Sequence, residues 1–130
     1  MFLTFPFTKV INFIFIISVS LVGGLNENEG NVLVNDRPIC DDSWDDSDAS
    51  VVCRSLGYDS GIATSESEFG DVEDDFIMDD VICNGDEGHI IQCPHSSSHN
   101  CEGYEGAGVR CVADLEGKFY FIVLLAINLQ

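Results

Sequence analysis

The apolar residues of this 130-residue chain are concentrated near its two ends, and an acidic, glycine-rich middle lies between them. Val10–Val22 is an apolar run that only three polar residues interrupt, and Phe119–Leu129 is apolar except for one asparagine. In the middle, apolar positions occur in short groups whose spacing indicates individual secondary-structure elements. The pattern therefore predicts a folded central region between two apolar terminal segments.

One of these groups has the periodicity of a helix. Its apolar residues are spaced i, i+3, i+4 and i+7, which places them in a single stripe: Ala49, Val52, Cys53 and Leu56. Three acidic residues come just before the stripe, where they favour the start of a helix: Asp45, Asp46 and Asp48. A glycine follows the stripe, as is typical of a helix end. The sequence therefore predicts one helix between Trp44 and Gly57.

The other groups are shorter and predict strands. The predicted strands are Asn31–Val34, Phe76–Met78, Val81–Ile82 and Ala107–Val112. The predicted connections are a turn at Asp36–Pro38, a second short helix capped by Asp86 that runs to Cys93, and a loop at Ser96–Ser98. No internal repeat is visible. The fold class that this pattern predicts is one small α+β domain with little helix.

Charge excludes one broad class of function. The chain has 23 acidic residues against five Lys and Arg, and its formal net charge is −18. A protein that neutralises phosphates needs a basic face, and this composition provides none, so nucleic acid is not an expected partner. At 45% hydrophobic residues, intrinsic disorder of the whole chain is also not expected.

The N-terminal apolar run is predicted to be a secretory signal peptide covering residues 1–20. The run is short for a membrane span, which needs about 20 residues. Ser18 and Ser20 occupy the −3 and −1 positions of a cleavage site before Leu21. An uncleaved signal anchor is the alternative. Either interpretation places the chain in an oxidising compartment, either secreted or on the extracellular face of the plasma membrane.

The compartment decides how the six cysteines are interpreted. All six follow the predicted signal, and an even number in a small secreted domain indicates a disulfide framework. Sequence alone leaves about 15 possible pairings of six cysteines. The alternative is a zinc site formed by the compact group Cys93, His95, His99 and Cys101, although its spacing is not that of a known zinc finger.

No arrangement of residues predicts an enzyme. The sequence has no Ser/His/Asp or Cys/His constellation with free groups, and paired cysteines cannot act as nucleophiles. The three histidines lie in a polar loop region, where surface positions are more common than acid–base catalysts: His89, His95 and His99.

Residues 21–112 contain a series of motifs that resemble the scavenger receptor cysteine-rich (SRCR) domain. The most specific covers Cys40–Asp45 and Asp48–Tyr58, where CDDSWD and DASVVCRSLGY are similar to the family pattern CDDxWDxxDAxVVCRxLGY. Further motifs follow the family's order: Leu21–Gly24, Glu29–Val32, Phe69–Gly70, Met78–Cys83, Cys93–His95, His99–Cys101 and Glu105–Cys111. The central region is therefore identified as similar to this family over about 92 residues.

The resemblance implies a fold and a disulfide pattern. It implies the six-cysteine group A form, with the pairs Cys40–Cys101, Cys53–Cys111 and Cys83–Cys93. It also implies a small disulfide-rich domain at residues 21–113, in which a curved antiparallel sheet cradles one main helix around Ser47–Leu56. Several matched residues are then expected to be core and turn positions: Trp44, Ala49, Val52, Leu56, Gly57, Val81, Gly108 and Val109.

The resemblance also implies a function. It predicts an extracellular ligand-recognition module, as in scavenger and innate immune receptors that bind proteins or microbial and modified surfaces. Only Arg37, Arg54 and Arg110 lie in the predicted domain, against 21 acidic residues, so a basic face for polyanions is not expected. The expected partner is therefore cationic, or is a polyanionic surface joined through a bound cation. The alternatives are a fragment of a larger multidomain protease or oxidase, and a structural or adhesive spacer.

A calcium or magnesium site at Asp41, Asp42 and Glu105 follows from the same resemblance. These positions match the two acids after the first cysteine and the Glu before the last one, while the family's next acid is Gly106 here. Three carboxylates held close together repel one another unless a hard divalent cation neutralises them. A second, lower-ranked site is predicted at Asp79 and Asp80. The alternative is one more patch of a highly acidic surface.

Some segments depart from the family pattern. The hairpin before the first cysteine is reduced to Asn35–Ile39, and the loop between Cys93 and Cys101 is short. Glycines that are common after Phe69-Gly70 are replaced, and a usual tryptophan is absent; the residues at these positions are Val72, Asp74 and Ile77. The apolar tail, residues 114–130, has three interpretations: a truncated transmembrane helix, translated noncoding sequence, or an extra strand. The first two are favoured.

Overall fold

The computed structural model describes residues 16–113. The terminal segments that hold most of the predicted signal peptide and the apolar tail lie outside the described residues. The elements, in chain order, are β1 Val19–Gly23, β2 Glu29–Val34, β3 Arg37–Pro38, α1 Asp46–Ser55, β4 Ser60–Thr64, a 3₁₀ turn at Ile90–Gln92, and β5 Gly108–Val112.

The five strands form one antiparallel sheet. Four of them lie in the order β1-β2-β5-β4, and the short β3 also pairs with β2. The register places Val32 opposite Leu21 and Val34 opposite Val19. These two residues of β2 are fully buried. The predicted fold class is therefore confirmed, because one helix packs against an antiparallel sheet in a small domain with three disulfides.

Helix α1 forms where the sequence predicts it, and its ends explain why. The Asp45 carboxylate accepts hydrogen bonds from the backbone N–H groups of Ser47 and Asp48, and the Asp48 side chain accepts one from the Asp45 N–H. This capping box satisfies donors that have no partner inside the helix. After the last turn, Gly57 has a φ of +98°, the left-handed conformation that favours glycine.

The buried face of α1 differs slightly from the predicted stripe. Ala49, Val52 and Cys53 are fully buried, as the periodicity predicts. Leu56 is only half-buried, whereas Val51, which lies outside the stripe, is completely buried. The helix is therefore covered on more than one side. The wider buried face is consistent with a helix that lies against the sheet and under the irregular segment after β4.

Three disulfides join the elements, in the pairing that the resemblance implies. Cys53–Cys111 links α1 to β5, Cys40–Cys101 links the segment after β3 to the segment before β5, and Cys83–Cys93 closes a local loop. No cysteine among residues 16–113 is free. The zinc alternative is therefore wrong for this structure, because two of its four ligands are bonded to other cysteines.

Two predicted strands are wrong. Phe76–Met78 and Val81–Ile82 are irregular in the structure, and only isolated bridges occur there, between Met78 and Ile39 and between Asp79 and Ser96. The apolar residues of these segments do not belong to a strand of the sheet. Phe76 and Met78 are in the core, whereas Ile82 is 61% exposed.

The predicted helix cap at Asp86 is also wrong. His89 caps the turn Ile90–Gln92, because its ring nitrogen accepts the N–H of Ile91. The preceding loop is held by Glu87, whose carboxylate accepts the N–H groups of Asn84 and Gly85. The chain therefore enters the short helix three residues later than Asp86.

Strand β1 begins before the predicted cleavage point. Val19 and Ser20 pair with Val34 and Leu33, and the side chains of Ile17 and Val19 pack against the core. Cleavage before Leu21 would remove these contacts from the sheet. The boundary between signal peptide and domain remains a prediction.

Candidate functional site

Two long-range contacts bring the segment after β3 next to the segment before β5. The first is the Cys40–Cys101 disulfide. The second is a backbone bridge between Cys40 and Gly106, beside which the Asp41 N–H donates to the Glu105 carbonyl at 2.9 Å. These contacts place residues 41 and 42 beside residue 105, although more than 60 residues separate them in the chain.

The three carboxylates predicted to hold a cation lie together in the structure. One oxygen from each of Asp41, Asp42 and Glu105 lies within 4.8 Å of the others, and all three side chains are half-buried. A cluster of carboxylate oxygens at this spacing offers the hard ligands that calcium and magnesium prefer. Both nearby sulfur atoms belong to the Cys40–Cys101 disulfide, so the available ligands are oxygens alone.

Backbone donors hold two of these carboxylates in place. The Asp41 carboxylate accepts the N–H of Glu66 at 2.7 Å, and the Glu105 carboxylate accepts the N–H of Glu102 at 2.6 Å. A turn at Asp41, where the Trp44 N–H donates to the Asp41 carbonyl at 3.1 Å, fixes the connection to α1. The site is therefore organised by backbone geometry before any ligand binds.

Two carboxylates of the cluster, Asp41 and Asp42, have a raised pKa. Burial raises the pKa of Asp41, and the nearby charges of Glu105 and Glu66 raise it further. Burial also raises the pKa of Asp42, followed by repulsion from Asp41 and Glu105. Both causes act against the charged form, so a bound cation would relieve the repulsion and compete with protons for the same oxygens.

The lower-ranked site lies on the other side of Asp42. Oxygens of Asp42 and Asp79 lie within 4.8 Å of each other. Asp80 is not part of this close group, but it lines the same cavity of about 540 Å³, together with Ser96, Ser98, His99 and Asn100. Asp79 is 4% exposed, and burial raises its pKa. Its carboxylate accepts the Asp80 N–H at 2.7 Å, which uses part of its bonding capacity within the turn.

Two residues that the sequence did not point to also line the first site. Glu66 and Tyr104 form a cavity of about 450 Å³ with Asp41 and Glu105. Tyr104 is 56% exposed, and its pKa is raised by the charges of Glu102 and Glu105. Glu66 follows β4 and has no motif around it, so no local signal identifies it.

Every arginine among the described residues is engaged within the domain. Arg110 makes an ion pair with Glu68 at 2.8 Å and lies 3.7 Å from Glu29. Arg37 donates to the Asp75 carbonyl at 2.9 Å, and Arg54 donates to the Gly85 carbonyl. These three arginines are the only Arg or Lys residues in the range 16–113, and each contacts a different acceptor, so they are too few to build a basic face.

Comparison with known proteins decides the family. The model of the "Scavenger receptor cysteine-rich domain" family matches residues 22–112. The chain belongs to the SRCR family. Its membership explains why the sequence motifs, the three disulfides and the sheet with one helix occur together. SRCR domains are generally non-catalytic recognition modules.

Curated SRCR relatives are much longer than this chain. A "Scavenger receptor cysteine-rich domain superfamily protein" of Patiria pectinifera is 52% identical over 101 residues, covering 72% of this chain and 9% of that protein. "Macrophage receptor MARCO" of Mesocricetus auratus is 41% identical over 97 residues, covering 72% of this chain and 20% of that protein. The chain therefore spans a small part of the relatives it matches.

Solved SRCR structures have the same fold. The third SRCR domain of murine neurotrypsin has a TM-score of 0.68 and 39% identity, and the match covers 73% of this chain and 95% of that one. The dimeric form of the SRCR domain of mouse MARCO has a TM-score of 0.55 and 31% identity, covering 82% and 98%. Within residues 16–113, no helix is long and apolar enough to cross a membrane.

Proposed function

We propose that this SRCR domain is an extracellular ligand-recognition module of scavenger-receptor type that binds proteins or microbial and modified surfaces with the help of a divalent cation. The observation that carries the proposal is the convergence of Asp41, Asp42 and Glu105 from two distant segments. The relation to a macrophage receptor supports recognition as the activity. The small number of arginines in the described part of the chain supports a bridging cation over direct contact with a polyanion.

The three carboxylates would hold calcium or magnesium and leave coordination positions open. Protein side chains supply only part of the six to eight ligands that calcium takes, so an anionic group of the ligand completes the shell. Affinity for the ion alone is expected to be weak, with Kd on the order of 10⁻⁴–10⁻³ M as in other extracellular modules. Without the ion, the same carboxylates favour a cationic ligand.

Asp79 and Asp80 form the lower-ranked part of this proposal. Carboxylate oxygens of Asp79 and Asp42 lie within 4.8 Å of each other, so an ion bound at Asp79 would interact electrostatically with one bound at the first site. The pair is ranked second because these carboxylates can equally serve as turn caps, as the Asp79 carboxylate does by accepting the Asp80 N–H.

The test is calorimetric titration of calcium into the wild type, Asp42→Ala/Glu105→Ala, and a control Asp59→Ala/Asp86→Ala. The control removes the same charge from two exposed positions outside the cluster. We expect heat of binding in the wild type and control and its loss in the site variant. Equal calcium uptake by all three proteins would place the ion elsewhere.

A second measurement connects the ion to recognition. Binding to immobilised dextran sulfate and to intact bacteria is measured in calcium and in chelator. Loss of binding in chelator supports the bridging cation, whereas binding that ignores the chelator removes the cation from the mechanism. Failure to bind any such surface, with a normal fold, would favour a structural or adhesive spacer.

The setting of the domain in the whole protein is part of the proposal. Residues 1–20 are proposed as a signal peptide that leads to secretion or to the extracellular face of the plasma membrane. Since the curated relatives are longer, the domain is proposed to be one module of a receptor. A module in a multidomain protease or oxidase is the alternative, and a full-length transcript distinguishes the two.

A further inference from the structure

A small groove lies on the face of the sheet that points away from α1. Val32 and Val34 point into the core, so Leu33 between them points to the opposite face. Its cavity has a volume of about 200 Å³. The floor and walls are apolar and the rim is acidic; the lining residues are Val22, Leu33, Pro38 and Val72, with Asp36, Asp71 and Glu73.

The turn between β2 and β3 and the segment 71–73 both contribute to the lining of the groove. Asp36 and Pro38 belong to the shortened connection before the first cysteine, where Asn35 and Asp36 turn the chain with φ values of 50° and 65°. The segment 71–73 is held in place by Val72, whose N–H donates to the Gly103 carbonyl at 2.8 Å. The groove is separate from Asp41, Asp42 and Glu105, none of which lines it.

Within residues 16–113, the three acidic residues of the rim have no counter-charge in an ion pair. Asp36, Asp71 and Glu73 are exposed, and none of them makes an ion pair among the described residues. The nearest arginine along the chain, Arg37, is directed at Asp75 and the Phe76 carbonyl. The groove therefore combines exposed apolar surface with carboxylates that have no ion-pair partner among the described residues. A ligand that is both apolar and positively charged would complement it.

We propose that this groove binds an extended segment of a protein partner in which an aliphatic side chain is flanked by lysine or arginine. The cavity is smaller than the 300–1,000 Å³ of typical small-molecule sites, so it suits a single inserted side chain. Burial of that side chain against Val22, Leu33 and Val72 supplies hydrophobic affinity. The flanking cations complement the acidic rim and direct the approach. No metal ion is required, so this contact goes beyond the cation-assisted function.

The probe is the peptide acetyl-Lys-Leu-Lys-Leu-Lys-amide, titrated into the ¹⁵N-labelled protein in the presence of EDTA. We expect chemical-shift changes at the amides of Leu33 and Val72. A peptide with serine in place of leucine tests the apolar part, and one with glutamate in place of lysine tests the charge. We expect each to bind at least tenfold more weakly.

The matched variants are Asp71→Lys/Glu73→Lys at the rim and Asp59→Lys/Asp86→Lys at exposed positions elsewhere. Both pairs change the net charge equally, and all four side chains are exposed, so the fold is expected to persist in each. We expect a tenfold or greater loss of affinity for the rim variant alone.

Three results would overturn the proposal. They are equal weakening in both variants, equal binding of the serine peptide, and shifts confined to Asp41, Asp42 and Glu105. The first two would reduce the effect to general charge attraction, and the third would assign the peptide to the cation site. Because EDTA is present throughout, a failure here leaves the cation-assisted function separately testable.

Discussion

Removal of the Cys53–Cys111 disulfide is expected to destabilise the domain more than removal of Cys83–Cys93. The first bridge joins residues 58 apart and connects α1 to β5, and the second joins residues 10 apart within one loop. A disulfide restricts the unfolded chain, and the restriction grows with the length of the closed loop. The difference in loop length therefore predicts the order of the two effects.

The magnitudes follow from the loop lengths. The chain-entropy relation gives about 4.2 kcal/mol for a separation of 58 residues and about 2.7 kcal/mol for a separation of 10. A domain of this size is typically stable by about 5–15 kcal/mol, so loss of the longer bridge removes a large share of the total. Cys53 is also fully buried, so its replacement disturbs packing between helix and sheet.

The assay is thermal unfolding of Cys53→Ala/Cys111→Ala and Cys83→Ala/Cys93→Ala, in which both partners are replaced so that no free thiol remains. The thermal midpoint is expected to fall by about 4–8 °C for each kcal/mol lost. Peptide mapping of the wild type checks the pairing itself. Equal destabilisation of the two variants, or a larger effect at Cys83–Cys93, would refute the argument from loop length.

Three further predictions concern the folded domain. Burial raises the pKa of Asp48 to about 6, above its ordinary value of 3.8, so the folded state binds a proton more readily than the unfolded state. The free energy of unfolding should therefore rise as the pH falls from 7 towards 4, and Asp48→Asn should flatten this part of a plot of urea midpoint against pH. In Gly61→Ala the new Cβ would lie 2.5 Å from the Cys53 sulfur, so urea unfolding is expected to show a loss of about 1–3 kcal/mol in the free energy of unfolding. The control Gly88→Ala, whose new Cβ has its nearest neighbour at 3.6 Å, should lose much less. A chain that begins at Leu21 should melt below one that begins at Ile16, because it lacks two side chains that pack against the core, and N-terminal sequencing of the secreted protein shows which start occurs.

The elements that the sequence predicts well are those specified locally. Helix α1 carries its own capping box and its own stop at Gly57, so its bounds do not depend on distant residues. Strands β2 and β5 are apolar and central, and Asn31–Val34 and Ala107–Val112 both coincide with them closely. At these positions the local sequence and the tertiary packing favour the same secondary structure, so the sequence pattern alone is enough to predict it.

The elements that the pattern missed depend on contacts made only after folding. Strand β4 contains polar residues and a glycine, and its outer edge is completed by α1: the Gly61 N–H donates to the Ser50 hydroxyl, and the Ala63 N–H donates to the Asp46 carboxylate. Strand β1 overlaps a run that resembles a signal sequence. Neither strand has an alternating pattern strong enough to identify it alone.

The sequence predicts three residues of the candidate site and misses two others, for the same reason. Asp41, Asp42 and Glu105 lie in motifs that resemble the family, so their proximity could be expected from the sequence. Glu66 comes to the site because its N–H donates to Asp41, a contact across 25 residues that no periodicity records. Tyr104 directly precedes Glu105 in the sequence but belongs to no motif that would have identified it.

The placement of charge in the domain connects its stability with its proposed recognition. The three arginines of the described region contact other parts of the domain, while backbone donors hold the Asp41 and Glu105 carboxylates beside Asp42. The repulsion among Asp41, Asp42 and Glu105 is therefore built into the native fold, and no basic side chain of that region forms an ion pair with these carboxylates. Under the proposed function, a metal ion or a basic group of the partner would supply the compensating charge. Acidification acts in the opposite direction, because protons that relieve the repulsion also occupy the oxygens that a cation needs.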